Sequence, residues 1–359
     1  MVNVLGLDIG GANTKAALIK TENESVIEIR TAFKYFPFWK RDKTQLREML
    51  SNIIWELCSS TTLDAISITM TAELSDVFRT KREGVNHILD SICQVSGKTR
   101  IFVLNSDAQL CSIEAAKSES LKVASANWAA TGWMVSQIIN ECVVVDVGST
   151  STSIIPIVEG KLAPNGKTDL DKLINSELVY TGSLRTNVAA IVQFVPVRGS
   201  MSRVSSEYFA QSGDVHLLLS NIKFEEYTAD TPDGKRKSRD EALTRLARVV
   251  CADSEMLKEP EIVQIAKYVF ESQLEQIACA LSQVYSRLKP NSKKFVPTVV
   301  TGLGGVFLAK NAAKKANVTK IIELNEIMPQ SVVLASPAVG VALMAATLLE
   351  GRRLKWLSS

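Results

Sequence analysis

The residues LDIGGANTK (7–15) decide the fold, because their spacing returns at VDVGSTSTS (145–153). Asp8, Gly10 and Thr14 fall at the same offsets as Asp146, Gly148 and Thr152, 138 residues further on. Each segment reads apolar, Asp, apolar, Gly, three residues, Thr. Each also sits where one apolar strand (2–7 and 142–145) turns into a second (14–20 and 152–158). A repeat at this distance predicts two like-folded halves, since solenoid repeats run at roughly 20–50 residues. Two lobes around a cleft are the expected architecture.

The pattern on either side of the two turns agrees. A third strand is expected near 26–33. Leu46, Met49, Leu50, Ile53, Ile54 and Leu57 mark one buried helical face over 44–60. Strand 65–70, a helix over 84–95, strand 101–104 and helical sequence to about 139 complete a β-β-β-α-β-α-β-α order. After the second hairpin and its turn at Glu159–Gly160 comes a less regular insertion, 161–260. An amphipathic helix over 261–288, ending before Pro290, and a strand over 296–300 follow. The apolar run VVLASPAVGVALMAATLL (332–349) reads as a buried helix rather than a membrane span. Ser336 is its expected N-cap and Pro337 lies in its first turn, while Gly340, Ala342, Ala345 and Ala346 permit close packing on a sheet. The expected domains are an N-terminal lobe, 1–140, completed by helix 336–359, and a C-terminal lobe, 141–335, carrying the insertion at about 161–260.

Composition excludes whole classes. In 359 residues, 46% are hydrophobic and 22% charged, which describes a folded globular chain rather than a disordered or fibrous one. A net charge of +3 is too small to imply nucleic-acid binding, and the basic cluster 235–239 reads as a solvated turn. The two histidines, His87 and His216, exclude a multi-His zinc site. Six cysteines without a C-x-x-C pair read as reduced, buried thiols. The first residues, MVNVLGLDIGG, carry no signal-peptide pattern, so a cytoplasmic location is expected.

The turns suggest phosphate chemistry. Gly10 and Gly11 let backbone amides approach an anion, with Asn13, Thr14 and Lys15 as neighbouring donors; Gly148, Ser149, Thr150 and Ser151 repeat the arrangement. Asp8 and Asp146 supply two carboxylates suited to a hydrated Mg²⁺. A third element, strand–GLGG–helix, brings Gly302, Gly304 and Gly305 to a helix N-terminus. The competing reading of each turn is an ordinary glycine-rich hairpin.

The paired hairpins and the GLGG turn resemble the actin, sugar kinase and Hsp70 superfamily, whose fold is α/β with two ribonuclease-H-like lobes. Within it, LDIGGANTK, TMTAELSDVF (69–78), SANWAATGW (125–133), YTGSLRT (180–186) and RLARVVCAD (245–253) resemble the hydantoinase-A-like proteins of tetrahydromethanopterin-linked one-carbon metabolism. That resemblance implies a transferase of methanofuran biosynthesis. Its substrates would be two small molecules, an aminomethylfuran-methyl diphosphate and the phenolic γ-glutamyltyramine, joined as an aryl ether with release of diphosphate. Mg²⁺ near Asp8 and Asp146, with Lys15 and the turn amides, would stabilise the leaving diphosphate.

On that reading a carboxylate assists the phenol, whose reference pKa is about 10. Glu73 is the first candidate, with Asp76 nearby and a helix-end carboxylate as the competing role. Asn105 and Asp107 are candidate substrate ligands, with helix capping as the alternative. Asn127, Trp128 and Thr131 are candidates to hold a furan or phenol ring, Trp128 being equally suited to a core. Tyr180, Thr181, Arg185 and Thr186 offer hydroxyls and a cation for diphosphate or glutamyl carboxylates. Arg245, Arg248 and Asp253 read as a structural network. The other functional readings are an ATP-dependent kinase or hydantoinase-like hydrolase, and a nucleotide-gated scaffold. No nucleic-acid or membrane partner is expected, and the oligomeric state stays open, a homodimer included.

Overall fold

A computed structural model describes residues 1–59, 61–288 and 296–355. Ser60, Pro290 and 356–359, which the expected helices involve, lie outside the described residues. The chain divides into two compact units: Met1–Cys142 with Ile155–Ile174 and Asn325–Ser359, and Val143–Ile154 with Asn175–Leu324.

The first unit is built on a sheet of order β3-β2-β1-β4-β5-β6, from β1 (Val2–Ile9), β2 (Asn13–Glu22), β3 (Ser25–Tyr35), β4 (Ala65–Met70), β5 (Arg100–Leu104) and β6 (Leu110–Cys111). β1 to β3 are antiparallel, and β4 and β5 run parallel to β1. Alternation puts Leu5, Leu7 and Ile9 on one face, where they meet Leu46, Leu50 and Ile53 of α1 (Leu46–Cys58) and Val85, Ile88 and Ile92 of α2 (Lys81–Val95). The helical sequence expected to about 139 takes the form of three helices, α3 (Ile113–Ser118), α4 (Ser120–Val123) and α5 (Asn127–Ser136), with the short strand β6 before them, which was not expected.

The opposite face of this sheet receives the C-terminal helix α13 (Ser336–Glu350), preceded by α12 (Gln330–Leu334). The approach is so close that a Cβ on Gly6 would lie 2.0 Å from the Ala338 carbonyl oxygen. Ser336 is not the N-cap: Ala335 occupies that position, and the Ser336 hydroxyl donates to the Val333 carbonyl at 2.6 Å.

Two boundaries differ from the expected lobes. Residues 325–335 belong to the first unit, where α12 packs on β3. So does 155–174, with the end of β8 (Thr152–Val158), β9 (Lys161–Leu162) and α6 (Asp169–Ile174). The reason is packing and charge. A Cβ on Gly132 would sit 2.9 Å from Ile155 and 3.0 Å from Leu162, while α6 pairs Asp169 with Lys81 and lays the Lys172 ammonium 4.0 Å from the Trp128 ring.

The second unit repeats the topology in the order β10-β8-β7-β13-β14, from β7 (Cys142–Val147), β10 (Leu178–Val179), β13 (Thr298–Thr301) and β14 (Ile321–Glu323) with β8. β13 runs parallel to both β7 and β14. α10 (Glu259–Arg287) and α11 (Lys310–Lys315) pack on β7 and β13. The insertion forms its own cluster from α7 (Val188–Ile191), the ribbon β11 (Phe194–Val197) and β12 (Ser200–Arg203), α8 (Ser212–Leu218), α9 (Arg239–Arg248) and the first half of α10. Buried Arg245 holds buried Asp214 at 2.7 Å and Asp233 at 3.2 Å, a structural ion pair. Among the described residues no helix is long and apolar enough to cross a membrane. All six cysteines are free, but Cys93, Cys251 and Cys279 are exposed, contrary to the expectation of uniformly buried thiols.

Because Gly6 has no room for a side chain, Gly6→Ala is expected to destabilise the protein by about 1–3 kcal/mol through overpacking. Urea unfolding measures this, and an unchanged midpoint would contradict the packing of α13 on β1.

Candidate functional site

In both units the second-last residue of the first strand is an aspartate, and the parallel neighbour sets a threonine beside it: Thr69 beside Asp8, Thr301 beside Asp146. Lys15 faces Asp8 from β2. α13 runs antiparallel to β1, since Ala338 lies over Gly6 while Glu350 accepts from Thr21, the register partner of Val2. Its N-terminus therefore lies toward the Asp8 end of the strand, where the helix dipole favours a carboxylate.

The turn after each strand closes with the same bond, Gly10 N–H to Asn13 C=O at 3.1 Å and Gly148 N–H to Ser151 C=O at 3.0 Å. In the first turn the Gly11 and Ala12 carbonyls accept from Phe38 and Phe36 at 3.0 and 2.8 Å. In the second, Gly148 C=O accepts from Ser183, and Ser149 C=O from Leu184 and Arg185, each at 2.9 Å. Across a trans peptide C=O and N–H point oppositely. The amides of Ala12 and Asn13, and of Ser149 and Thr150, thus face away from the segments that hold the turns. Such concavities of backbone N–H attract anions. Thr14 departs from the expected set: it pairs with Ile9, on the core face opposite Asp8 and Lys15, and is fully buried.

Within the second unit the structure gathers three expected motifs. Gly182 backs onto Thr150 and Ser151, and Arg185 donates from Nη1 to Thr150 Oγ1 at 3.2 Å. Gly304 N–H donates to Val147 C=O at 3.0 Å. Gly302 has φ +83°, and a Cβ there would lie 2.5 Å from Asp146 Oδ1, so only glycine fits beside that carboxylate. The GLGG turn does not open directly into an α-helix: a π-helical turn, Gly305–Ala309, intervenes before the short α11, a feature common at functional sites. Thr181 is buried, its hydroxyl accepting from Gln273 at 2.7 Å, and Thr186 accepts from the Gly182 amide at 2.9 Å; both serve the loop. Tyr180 is exposed.

Glu73 is 1% exposed, in a 3-10 turn between β4 and α2. Ser125 donates to its Oε1 at 2.6 Å, Lys81 Nζ lies 3.9 Å from the same oxygen, and Oε2 has no hydrogen-bond partner. Burial pushes its pKa up to about 7, against the lowering effects of the Ser125 bond and the Lys81 charge.

Other expected ligands are engaged elsewhere. Asn105 Oδ1 accepts from the amides of Asp107 and Gln109 at 2.9 and 3.0 Å, holding the β5–β6 turn rather than capping a helix, and Asp107 pairs with Lys167. Trp128 is 3% exposed with a face covered by Lys172, so it is a core ring and not an open stacking plane. Thr131 is buried on the same helix, and Asn127 is half-buried at its start. Lys81, Ser125, Asp169 and Ser183 were not expected. Ser183 is fully buried beside Gly304, with its hydroxyl unbonded. Lys81 and Asp169 had a legible signal: Thr80 with Glu83 and Thr168 with Asp171 are Thr-x-x-acid capping pairs that start α2 and α6 at those residues.

The donor set suits a hard cation, offering carboxylate and hydroxyl oxygens without histidine or cysteine. Among the described residues no three His, Cys, Asp or Glu side chains gather to cage a metal ion. Mg²⁺ characteristically needs no such cage, binding through one or two carboxylates together with water and substrate phosphates.

The chain is 39% identical over 342 residues to the (4-{4-[2-(gamma-L-glutamylamino)ethyl]phenoxymethyl}furan-2-yl)methanamine synthase of Methanocaldococcus jannaschii, covering 95% of this chain and 97% of that protein. A protein of the same name from Methanococcus vannielii is 38% identical over 215 residues, 58% of this chain and 93% of its own length. Among solved structures, nucleotide-free acetone carboxylase shares the fold with a TM-score of 0.55 at 10% identity, over 95% of this chain and 70% of that chain. The model describing hydantoinase/oxoprolinase proteins matches residues 64–348. With this match and a relative similar along nearly its whole length, the chain belongs to the hydantoinase/oxoprolinase family.

Proposed function

We propose that the protein is a transferase of methanofuran biosynthesis, in which the phenol of γ-glutamyltyramine displaces diphosphate from an aminomethylfuran-methyl diphosphate to form an aryl ether. The observation that carries this reading is the 39% identity across 95% of the chain to a synthase whose name describes that phenoxymethylfuran product. A cytoplasmic location is part of this proposal.

The furan-bearing methylene carbon can lose diphosphate because its developing positive charge is shared with the ring oxygen. Residues are then needed for two tasks. The turn amides at Ala12, Asn13, Ser149 and Thr150, with Lys15 and Arg185, are assigned to the charge growing on diphosphate. Asp8 and Asp146, each the second-last residue of the first strand in its own unit, are the carboxylates assigned to Mg²⁺, which when bound would neutralise phosphate charge. Glu73 is assigned as the base: with its pKa near 7 about half of it is ionised at neutral pH, and that carboxylate is basic enough to accept the phenolic proton.

Purified protein supplied with the diphosphate, γ-glutamyltyramine and Mg²⁺ is expected to release diphosphate and ether without nucleotide. A strict requirement for ATP would replace this reading with a kinase or an ATP-dependent ligase. Asp8→Asn should raise the Mg²⁺ concentration needed for half-maximal turnover, and an unaltered metal response would remove Asp8 from the metal site. Glu73→Gln should lower turnover by about 10²–10⁴-fold with little change in KM for the diphosphate. The wild-type rate should fall below about pH 7 as Glu73 becomes protonated.

Stability follows the same titration. The folded state holds the Glu73 proton up to about pH 7, whereas an unfolded glutamate releases it near the ordinary value of 4.5. Between those values the native state binds more protons, so stability falls as pH rises and is lowest, for this group, above pH 7. Glu73→Gln is therefore expected to gain on wild type by up to about 3 kcal/mol between pH 4.5 and 8, at 1.36 kcal/mol per pH unit. Urea titrations at both pH values measure this difference.

A further inference from the structure

We propose that Lys81, anchored by Asp169, is a positioning residue that turns the Ser125 hydroxyl onto Glu73 Oε1 and so makes Oε2 the atom that receives the substrate proton. The inference rests on the reading of Glu73 as base and deepens it.

Donor arithmetic carries the argument. Lys81 Nζ lies 3.3 Å from Ser125 Oγ and 2.9 Å from Asp169 Oδ2. An ammonium can only donate, so Ser125 must accept from Lys81 with its oxygen lone pair. Its single O–H is then free for the remaining contact, Glu73 Oε1 at 2.6 Å. Oε1 accepts that bond in either protonation state of Glu73. Any proton the carboxyl takes up must therefore go to Oε2, the oxygen without a partner. In the reaction the phenolic proton passes to Oε2 as the phenolic oxygen bonds to the methylene carbon. The carbon–oxygen bond to diphosphate breaks, and its electron pair leaves with the diphosphate.

Local structure shows what this arrangement costs. Lys81 is the first residue of α2, where the helix dipole disfavours a cation by about 0.3–1 kcal/mol. Asp169, at the start of α6, offsets that cost. Ser125 is held at φ +51°, a left-handed conformation that non-glycine residues adopt at a cost of order 1–3 kcal/mol and that concentrates at functional sites. Gly84 packs directly on Glu73 from α2, for a Cβ there would lie 2.6 Å from the Glu73 Cα. The groups facing Glu73 are thus Lys81 and Gly84 from α2, Ser125 from the segment before α5, and Asp169 from α6, of which Lys81 and Asp169 are charged.

The test follows the Glu73 carboxyl directly, by ¹³C NMR of the full chain labelled at glutamate, with Glu73→Gln identifying its resonance. The pH profile of kcat/KM is recorded alongside. Lys81→Met is expected to raise both the carboxyl titration and the acid limb of the profile by about one pH unit or more, a tenfold loss of rate per unit below it, with Lys81→Arg restoring most of the change. Asp169→Asn alone should also raise the titration, because Lys81 is released. In the Lys81→Met background the same change should lower it, because only direct repulsion between carboxylates is then removed. That reversal of sign is the signature of Asp169 acting through Lys81. An unmoved carboxyl in both single variants, or shifts of one sign in both backgrounds, overturns the proposal. A carboxyl that moves while the pH profile does not would instead remove Glu73 as base and leave the positioning intact. Should Lys81→Met fail to fold, Lys81→Gln takes its place, with Asp169→Asn, on the partly exposed α6, as the independent arm.

Discussion

The bond from a turn glycine amide to the carbonyl three residues on sets the geometry of both units. It reverses the chain within four residues, so the first two strands pair immediately. That pairing leaves the opposite edge of the first strand open to a parallel partner. The parallel register then brings Thr69 beside Asp8 and Thr301 beside Asp146. A separate segment braces each turn by donating to its carbonyls, Phe36 and Phe38 in one unit and residues 183–185 in the other. The repeated spacing in the sequence is thus the trace of a repeated hydrogen-bond pattern, reached with different supports.

What was legible in the sequence followed from short-range rules. Strands 65–70 and 152–158 appear where their apolar character and neighbouring turns put them, and the 138-residue displacement announces two like sheets. The polar environment of Glu73 was less legible, because its parts are remote. Ser125 is 52 residues from Glu73, and Asp169 is 88 from Lys81. Trp128 misled because an aromatic next to an amide reads equally as a binding surface or a core, and only the arrival of Lys172 decides it. Asn105 misled because a side chain placed after a strand can close its own turn as well as meet a ligand.

Burial and charge act together around Glu73. A carboxyl removed from water becomes a stronger base, but it also becomes costly to ionise. One hydroxyl and one ammonium limit that cost, leaving the pKa near neutrality rather than far above it. The glycine turns meet the opposite requirement, presenting uncharged amide dipoles that need no counter-ion when no anion is bound. The chain thus combines a site tuned by desolvation with sites shaped by backbone alone.

The first unit is assembled from three separated stretches of chain, the last of which supplies α13 against β1. Its sheet can form early during synthesis, yet the face of β1 carrying Gly6 and Asp8 lacks its α13 cover until residues 336–350 have been made. Contacts this distant in sequence slow folding and prolong the exposure of apolar surface. Residues 1–142 made alone would lack this cover, so the unit that is begun first is completed only after the chain of the second unit, Asn175–Leu324, has been made.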